Sequence, residues 1–329
     1  MNPYTPRASI VVVQRERFST TRRSLESLLA NTDKRYPVYY VDNASPPEIH
    51  RYLAGQAADG GIQVIRHEAY SSPTQARNAV LPIIETEYVA FVDNDVLFTP
   101  GWLEVLLECA RDHQADAVTP LILQGELEDG VIHTAGGSVG IHDSDAGPEL
   151  LETQRFLGRS MADVAAELQE EPTQMAEFHC VLVRTGFLRD LGGLDENYLA
   201  TSEHLDFALE LQKANGSMWF APGSVVSYVF PPPVAREDRR YFCLRWSREW
   251  TRHSEHYLFR KWQVIPGDRL LRFTTKHRRK AFVAMHRSAS KIAGTRFANL
   301  IVKLLDWWYG KVSKRLESDE VKALLRAGN

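Results

Sequence analysis

The chain has 329 residues, 44% hydrophobic and 25% charged, enough to bury one large domain or a domain with an appendage. The net charge of −3 conceals a split: Arg269 to Asn329 carries 15 Lys+Arg against 4 Asp+Glu, so the preceding part is acidic and the tail basic, as for a tail with its own partner. No apolar run reaches the roughly 20 residues of a membrane-spanning helix, the first residues lack a signal-peptide core, and Cys109, Cys180 and Cys243 stand in no metal-ligand spacing and read as thiols of a reducing compartment.

Ala8 to Val13 is a β-branched run and predicts a strand. Ser19 to Ala30 puts Leu25, Leu28 and Leu29 at helical spacing, with Ser19 or Thr20 as cap. Val38 to Val41 predicts a second strand, which stops at the turn residues Asp42-Asn43-Ala44-Ser45 before a helix start at Pro47. Ile62 to Ile65 follows as a strand, Pro73 to Ile84 as a helix, Tyr88 to Val92 as a strand, Gly101 to Arg111 as a helix and Ala117-Val118 as a strand. This alternation predicts an α/β fold, a mostly parallel sheet flanked by helices, whose ligands bind beyond the carboxyl ends of the strands. Asp42 and Asp93 both lie at such ends.

From about 120 to 175 the chain reads as loops and short strands, with a helix near Met161 to Leu168. Glu177 to Val183 predicts a strand, Thr185 to Leu191 a short helix, and Ser202 to Asn215 a helix capped by Ser202. Ser217 to Phe220 and Ser224 to Phe230 read as two closing strands. Pro231-Pro232-Pro233 marks a boundary between a body of residues 1–233 and a helical, basic extension of residues 234–329.

Asp93-Asn94-Asp95 carries the chemistry. Residues i and i+2 of an extended segment point the same way, and two carboxylates so placed repel unless a cation sits between them. Hard oxygen ligands suit Mg²⁺ or Mn²⁺, which commonly carry substrate phosphates. The bland alternative is a polar turn after a strand.

Six pieces in register over Ser9 to Pro233 resemble family 2 glycosyltransferases of the GT-A fold: Ser9 to Val13; Val41 to Ser45; Gln75-Ala76-Arg77-Asn78; Asp93-Asn94-Asp95; Val183 to Phe187 with Gly192 to Glu196; and Glu203-His204-Leu205-Asp206. The resemblance implies transfer of a sugar from a nucleotide-sugar donor, a UDP-sugar by default, to a hydroxyl of a glycan or lipid-linked acceptor, with inversion and with Mn²⁺ or Mg²⁺ on the diphosphate. It implies Asp95 as first metal ligand and Asp93 as ligand or orienter, with Asp42, Arg77, Asn78, Asp93 and Asn94 around the nucleotide. It places the general base in the Glu203 to Asp206 segment. The usual aspartate of that motif is His204 here, so His204, then Glu203, then Asp206 are the candidates. Ser227 to Phe230 lacks the histidine that completes the metal shell in many members. His179, His133, Arg245 and Trp246 are acceptor-side candidates, each with a packing role as its alternative.

Glu237 to Trp262 mixes aromatics and arginines at helical spacing, as in a helix forming the outer wall of an acceptor cleft. The basic cluster Lys276 to Lys280 and the aromatics Trp307-Trp308-Tyr309 suit either an anionic membrane surface or a homo-oligomeric contact. The acidic body excludes nucleic acid as a partner. The expected setting is cytoplasmic, with a peripheral position on the inner membrane face, in cell-surface or extracellular glycan synthesis. A non-catalytic binding or scaffold protein of the same fold is the alternative. A nucleotidyltransferase fits less well, because the loop after the first strand lacks glycines.

Overall fold

The computed structural model describes residues 6–229, 234–265, 304, 307–308, 311–312 and 314–327. In chain order it comprises β1 (Ala8–Val13), α1 (Thr21–Ala30), β2 (Val38–Asn43), α2 (Pro47–Ala58), β3 (Gln63–His67), α3 (Pro73–Asn78), β4 (Tyr88–Asp93), β5 (Val96–Phe98), α4 (Trp102–His113), β6 (Ala117–Gln124), β7 (Val131–Thr134), β8 (Gly137–Ser144), β9 (Gly147–Gln154), α5 (Met161–Val164), β10 (Glu171–Pro172), β11 (Cys180–Arg184), α6 (Thr185–Asp190), α7 (Glu203–Lys213), β12 (Met218–Tyr228), α8 (Arg239–Arg245), α9 (Arg248–Trp262) and, near the end, α10 (Asp319–Ala327).

The main sheet runs β10-β12-β6-β11-β4-β1-β2-β3, with β5 on β12 and β7 on β6. β3, β2, β1 and β4 are mutually parallel, β6 and β12 form a second parallel pair, and β11 joins the two blocks antiparallel to both neighbours. β1, β2 and β4 are buried at every position, which is why their sequences are apolar without alternation. Ile10, Val12, Tyr40 and Val92 pack under α1 and α4, while Val11, Val13, Val41 and Phe91 pack on the opposite face with Ala76, Leu188 and Phe207. β1 pairs Val13 with Val41 on one side and with Asp93 on the other, so Asp42 and Asp93 end level at the same sheet edge.

Four expectations change. The helix from Pro73 stops at Asn78, and Leu81–Ile83 is a separate 3₁₀ turn, because Pro82 has no N–H to continue the ladder. The two closing strands are one, β12, with a register shift between Ala221 and Val225 that absorbs Pro222 and Gly223. The irregular middle contains the hairpin β8–β9, two strands of eight residues each, which its acidic, exposed side chains hid from an apolar reading. Ser202 precedes α7 at φ 74° and its side chain makes no cap, so α7 starts from a left-handed residue. The triple-proline boundary and the Lys276 to Lys280 cluster lie outside the described residues. Among those described, no helix is long and apolar enough to cross a membrane.

Candidate active site

The turn between β4 and β5 is stitched to three strand ends. Asp93 N–H donates to His179 C=O (3.1 Å), Asn94 N–H to Val13 C=O (2.9 Å), and Val229 N–H to Asp95 C=O (2.7 Å). Asp93, Asn94 and Asp95 are fully buried as a result. The Asn94 side chain faces the loop after β1, donating to Arg17 C=O (2.6 Å) and accepting from Arg15 N–H (3.3 Å), so it holds that loop over the two carboxylates.

Around Asp93 and Asp95 the charges are dense. Arg77 Nη2 donates to Asp93 Oδ1 at 2.7 Å, while Asp93 Oδ2 lies 3.1 Å from His179 Nδ1 and 3.6 Å from Arg15 Nε. Arg17 Nη2 lies 3.4 Å from Asp95 Oδ2 and also donates to Val229 C=O. Burial pushes Asp95 up to about 7, against Arg17 and with the help of Asp93. Burial also raises Asp93, against Arg77 and Arg15. The same burial, with Arg15 beside it, keeps His179 well below its usual value, so its ring is neutral near pH 7.

Asp93 Oδ2, Asp95 Oδ1 and His179 Nδ1 are all buried without a hydrogen-bond partner, and Asp93, Asp95 and His179 each offer a ligand atom within 4.8 Å of the others. Two carboxylates and a neutral imidazole fit a divalent cation such as Mn²⁺ by donor type. His179, expected on the acceptor side, therefore joins the carboxylates. It arrives from the start of antiparallel β11, which pairs Cys180 with Val92. The Tyr228 ring stacks on it at 4.0 Å, and the His133 ring stands 5.3 Å away.

The roof of the site is C-terminal. Asp238 accepts from Phe18 N–H (2.7 Å), Ser19 N–H (2.9 Å) and the Ser19 hydroxyl (2.6 Å), clamping the start of α8 to the loop after β1. Tyr241 donates to Gln14 C=O (3.0 Å), and Trp246 Nε1 to Glu16 Oε2 (2.8 Å). Arg245 is fully buried with none of its three nitrogens hydrogen-bonded, and the nearest carboxylate oxygen, on Glu203, is 3.8 Å from Nη2. Arg245 and Trp246 thus come to Glu203 at the start of α7 and to Glu16 in the loop after β1. The sequence reading also missed Arg15, Glu16 and Arg17, although three charged residues directly after a buried strand are the signal that could have found them.

Asp42 is buried and already engaged, by Ser45 N–H (3.0 Å), His50 Nδ1 (2.8 Å) and Arg66; these hydrogen bonds overcome burial and hold it below the usual carboxylate range. Asn78 has another task. Its amide donates to Leu194 C=O (2.7 Å) and accepts from Leu194 N–H (2.9 Å), beside Gly193 at φ 94°, where a Cβ would stand 3.1 Å from Asn78 Oδ1.

The three base candidates have three environments. His204 Nε2 lies 3.6 Å from Glu152 Oε1 and 4.0 Å from Glu177 Oε1; burial opposes its charge, but those carboxylates raise it to about 9. An imidazole held protonated at neutral pH is a poor proton acceptor, which argues against its first rank. Asp206 is occupied by Tyr198 (2.9 Å), Trp262 Nε1 (2.8 Å) and Lys261 (2.8 Å). Glu203 is the exception: despite burial, Arg245, Arg77, His204 and Arg15 keep it ionised below its ordinary value. It also lines a cavity of about 230 Å³ with Thr74, Asp195, Asp206, Glu210 and Lys261.

The model of the family described as glycosyl transferase family 2 matches residues 9–187, more than half of the chain. The chain belongs to that family. This family 2 glycosyltransferase is similar to the pre-mycofactocin glycosyltransferase of Mycobacterium tuberculosis, 28% identical over 222 residues that cover 67% of this chain and 42% of that one. It is also similar to the O-antigen biosynthesis protein RfbC of Myxococcus xanthus, 24% identical over 212 residues, 63% of this chain and 16% of that one. The chain thus spans less than half the length of these curated relatives. Among solved structures, a crystal structure of GalNAc-T7 with UDP, GalNAc and Mn²⁺ matches at a TM-score of 0.53 and 14% identity, covering 87% of this chain and 58% of that one. That likeness shows a GT-A fold: a curled, mostly parallel sheet flanked by helices.

Proposed function

We propose that this glycosyltransferase is inverting and divalent-metal-dependent, and that it moves a sugar from a UDP-sugar to a hydroxyl of a glycan or lipid-linked acceptor in cell-surface glycan synthesis. The observation that carries the reading is the convergence of three orphaned ligand atoms, on Asp93, Asp95 and His179, near the Arg245 guanidinium, which makes no hydrogen bond. Residues 1–233 serve as the catalytic body, and residues 234–329 as an extension that completes the donor site from above. The UDP and Mn²⁺ of the GalNAc-T7 structure and the O-antigen role in the name of RfbC favour this donor and this setting.

Charge balance supports the metal. Arg15, Arg17, Arg77 and Arg245 face Asp93, Asp95, Glu16 and Glu203, so the lining is formally neutral. A diphosphate adds negative charge that a divalent cation offsets. Asp95, Asp93 and His179 would hold that cation, which stabilises the charge left on the departing diphosphate. Arg245 and Arg77 donate to the same oxygens, and Arg245 thereby gains the hydrogen bonds it lacks. Asp42, at the end of β2, orients the nucleoside. Glu203 accepts the proton of the acceptor hydroxyl as its oxygen attacks the anomeric carbon opposite the leaving group. His204 stays protonated and steadies Glu203.

Thermal shift of the full chain with UDP-sugars, with and without Mn²⁺, tests the reading. Donor should raise the melting point more with metal than without it, by mass action. Asp95→Ala should remove the metal-dependent part. Persistence of that part in the variant would overturn the ligand assignment.

A further inference from the structure

The end of α4 and the segment before β10 bring three ligand-type side chains together, away from the acidic pair. Cys109 and His113 stand four residues apart on α4 and so share one face of the helix. His113 Nε2 lies 2.6 Å from Glu170 Oε1, and the Cys109 thiol hydrogen-bonds Glu170. The Cys109 sulfur, a His113 ring nitrogen and a Glu170 oxygen all lie within 4.8 Å of one another. The Trp219 ring stacks on the imidazole at 3.4 Å and 9°, which fixes the plane of that ring. Trp219 is near the start of β12, whose last residue, Tyr228, stacks on His179. The strand between them separates the two places by on the order of 25 Å. The cysteines compared only with each other show no metal-ligand spacing, because a single cysteine belongs to this group and its partner in the helix is a histidine.

We infer that Cys109, His113 and Glu170 form a second cation site, for a thiophilic divalent ion such as Zn²⁺ whose fourth position is left to water. Three observations select it. Sulfur, imidazole nitrogen and carboxylate oxygen together are a donor set for Zn²⁺, whereas Mg²⁺ and Mn²⁺ prefer oxygen. The site has a floor and a mouth: Cys109 is buried, while the side chains of His113 and Glu170 are 27% and 43% exposed, so an ion enters from solvent and keeps a water. The group is not a nucleophile with its base. Burial, with Glu170 beside it, pushes the Cys109 thiol up to about 12, so it stays a thiol at neutral pH unless a metal claims the sulfur. On binding, the S–H bond breaks, the S–Zn bond forms and the proton leaves to water, with no change of oxidation state.

The ion would staple an irregular stretch to a helix. The chain between β9 and β10 packs through partly buried Phe156, Met161 and Leu168, and β10 pairs with β12 over only two residues. A bond from Glu170 to an ion held by α4 fastens that stretch at its end, and the binding free energy adds to the stability of the fold. The inference is independent of the proposed reaction. Asp93, Asp95 and His179 come from the end of β4, the turn after it and the residue before β11, so substitution can empty either site alone.

Titration of the chelator-stripped full chain with Co²⁺ tests it, since Co²⁺ enters Zn²⁺ sites and reports a bound sulfur by absorbance. A near-ultraviolet thiolate-to-cobalt band is expected, saturating at about one ion per chain and bleached by Zn²⁺ but not by Mn²⁺. Cys109→Ser should abolish the band, and Asp95→Ala should leave it as in the wild type. His113→Gln, at a part-exposed position, should weaken Zn²⁺ binding by about tenfold or more and remove the Zn²⁺-dependent rise in melting point. Its circular dichroism and its UDP-sugar thermal shift should not change. A wild type without the band, a band that persists in Cys109→Ser, Zn²⁺ binding undiminished in His113→Gln, or a band lost in Asp95→Ala overturns the inference.

Discussion

Arg17 Nη2 and Asp95 Oδ2 stand 3.4 Å apart, both buried, with the other oxygen of Asp95 left without a partner. The guanidinium neutralises the carboxylate only partly, because its Nη2 is shared between a long hydrogen bond to Asp95 Oδ2 and one to the Val229 carbonyl. The pair is therefore a weak closure, and the site favours any stronger cation that reaches Asp95.

Asp95 makes stability fall with pH. Burial, only partly opposed by Arg17, raises its folded value to about 7 from an unfolded carboxylate near 4, so between those values the folded state binds the extra proton. Without metal, the stability of the wild type should fall relative to Asp95→Asn as pH rises from about 4 to 7, by a few kcal/mol at most. Mn²⁺ affinity should rise over the same range. Melting curves and calorimetric titrations at several pH values check both.

Glu203→Gln should lower turnover by about 10²- to 10⁴-fold, the usual worth of a positioned base. His204→Gln should cost less than tenfold in turnover and act on stability. Its folded value is raised to about 9, so the ion pair with Glu177 and Glu152 contributes fully below about 6.5 and is lost as pH rises through 9. The wild-type advantage over His204→Gln, about 2–3 kcal/mol at low pH, should fade across that window. UDP-release kinetics and melting curves separate the two roles.

Arg245→Met should leave the free protein within about 1 kcal/mol of wild type, because it removes a buried cation with no hydrogen bond but also the counter-charge nearest buried Glu203. The same change should weaken UDP binding by about 10²-fold, since a charge-assisted contact to phosphate is worth roughly 1.5–3 kcal/mol. Weakened UDP affinity at a nearly constant melting point is the readout.

Asn78→Ala should lower stability by about 1–3 kcal/mol, through two lost hydrogen bonds to Leu194, while leaving the donor KM within about twofold. A large KM change at constant melting point would restore the nucleotide role expected from the sequence.

Much of this was legible in the chain itself. The fully buried strands β1, β2 and β4 write themselves as apolar runs, and the acidic pair at the end of β4 is visible as residue types, although Asn94 and Asp95 lie in the turn after β4 and not on an extended segment. Asn78 and His204 were not legible. Asn78 could as well have faced a nucleotide as the Gly193 turn, and the charge of His204 depends on Glu152 and Glu177, which are distant in sequence.

The order of chain elements, the acidic pair at a strand end and the basic tail are local properties, set by periodicity and residue type, and the sequence alone determined them. Only the tertiary structure decided that His179 stands beside that pair, that Arg245 and Trp246 reach Glu203 and Glu16 from the far end of the chain, and that Glu203 is the carboxylate of its segment held below its ordinary value. The physical reason is that desolvation and Coulomb interaction act through space. A side chain's charge is fixed by neighbours that strand pairing and helix packing bring together, and no spacing along the chain encodes them.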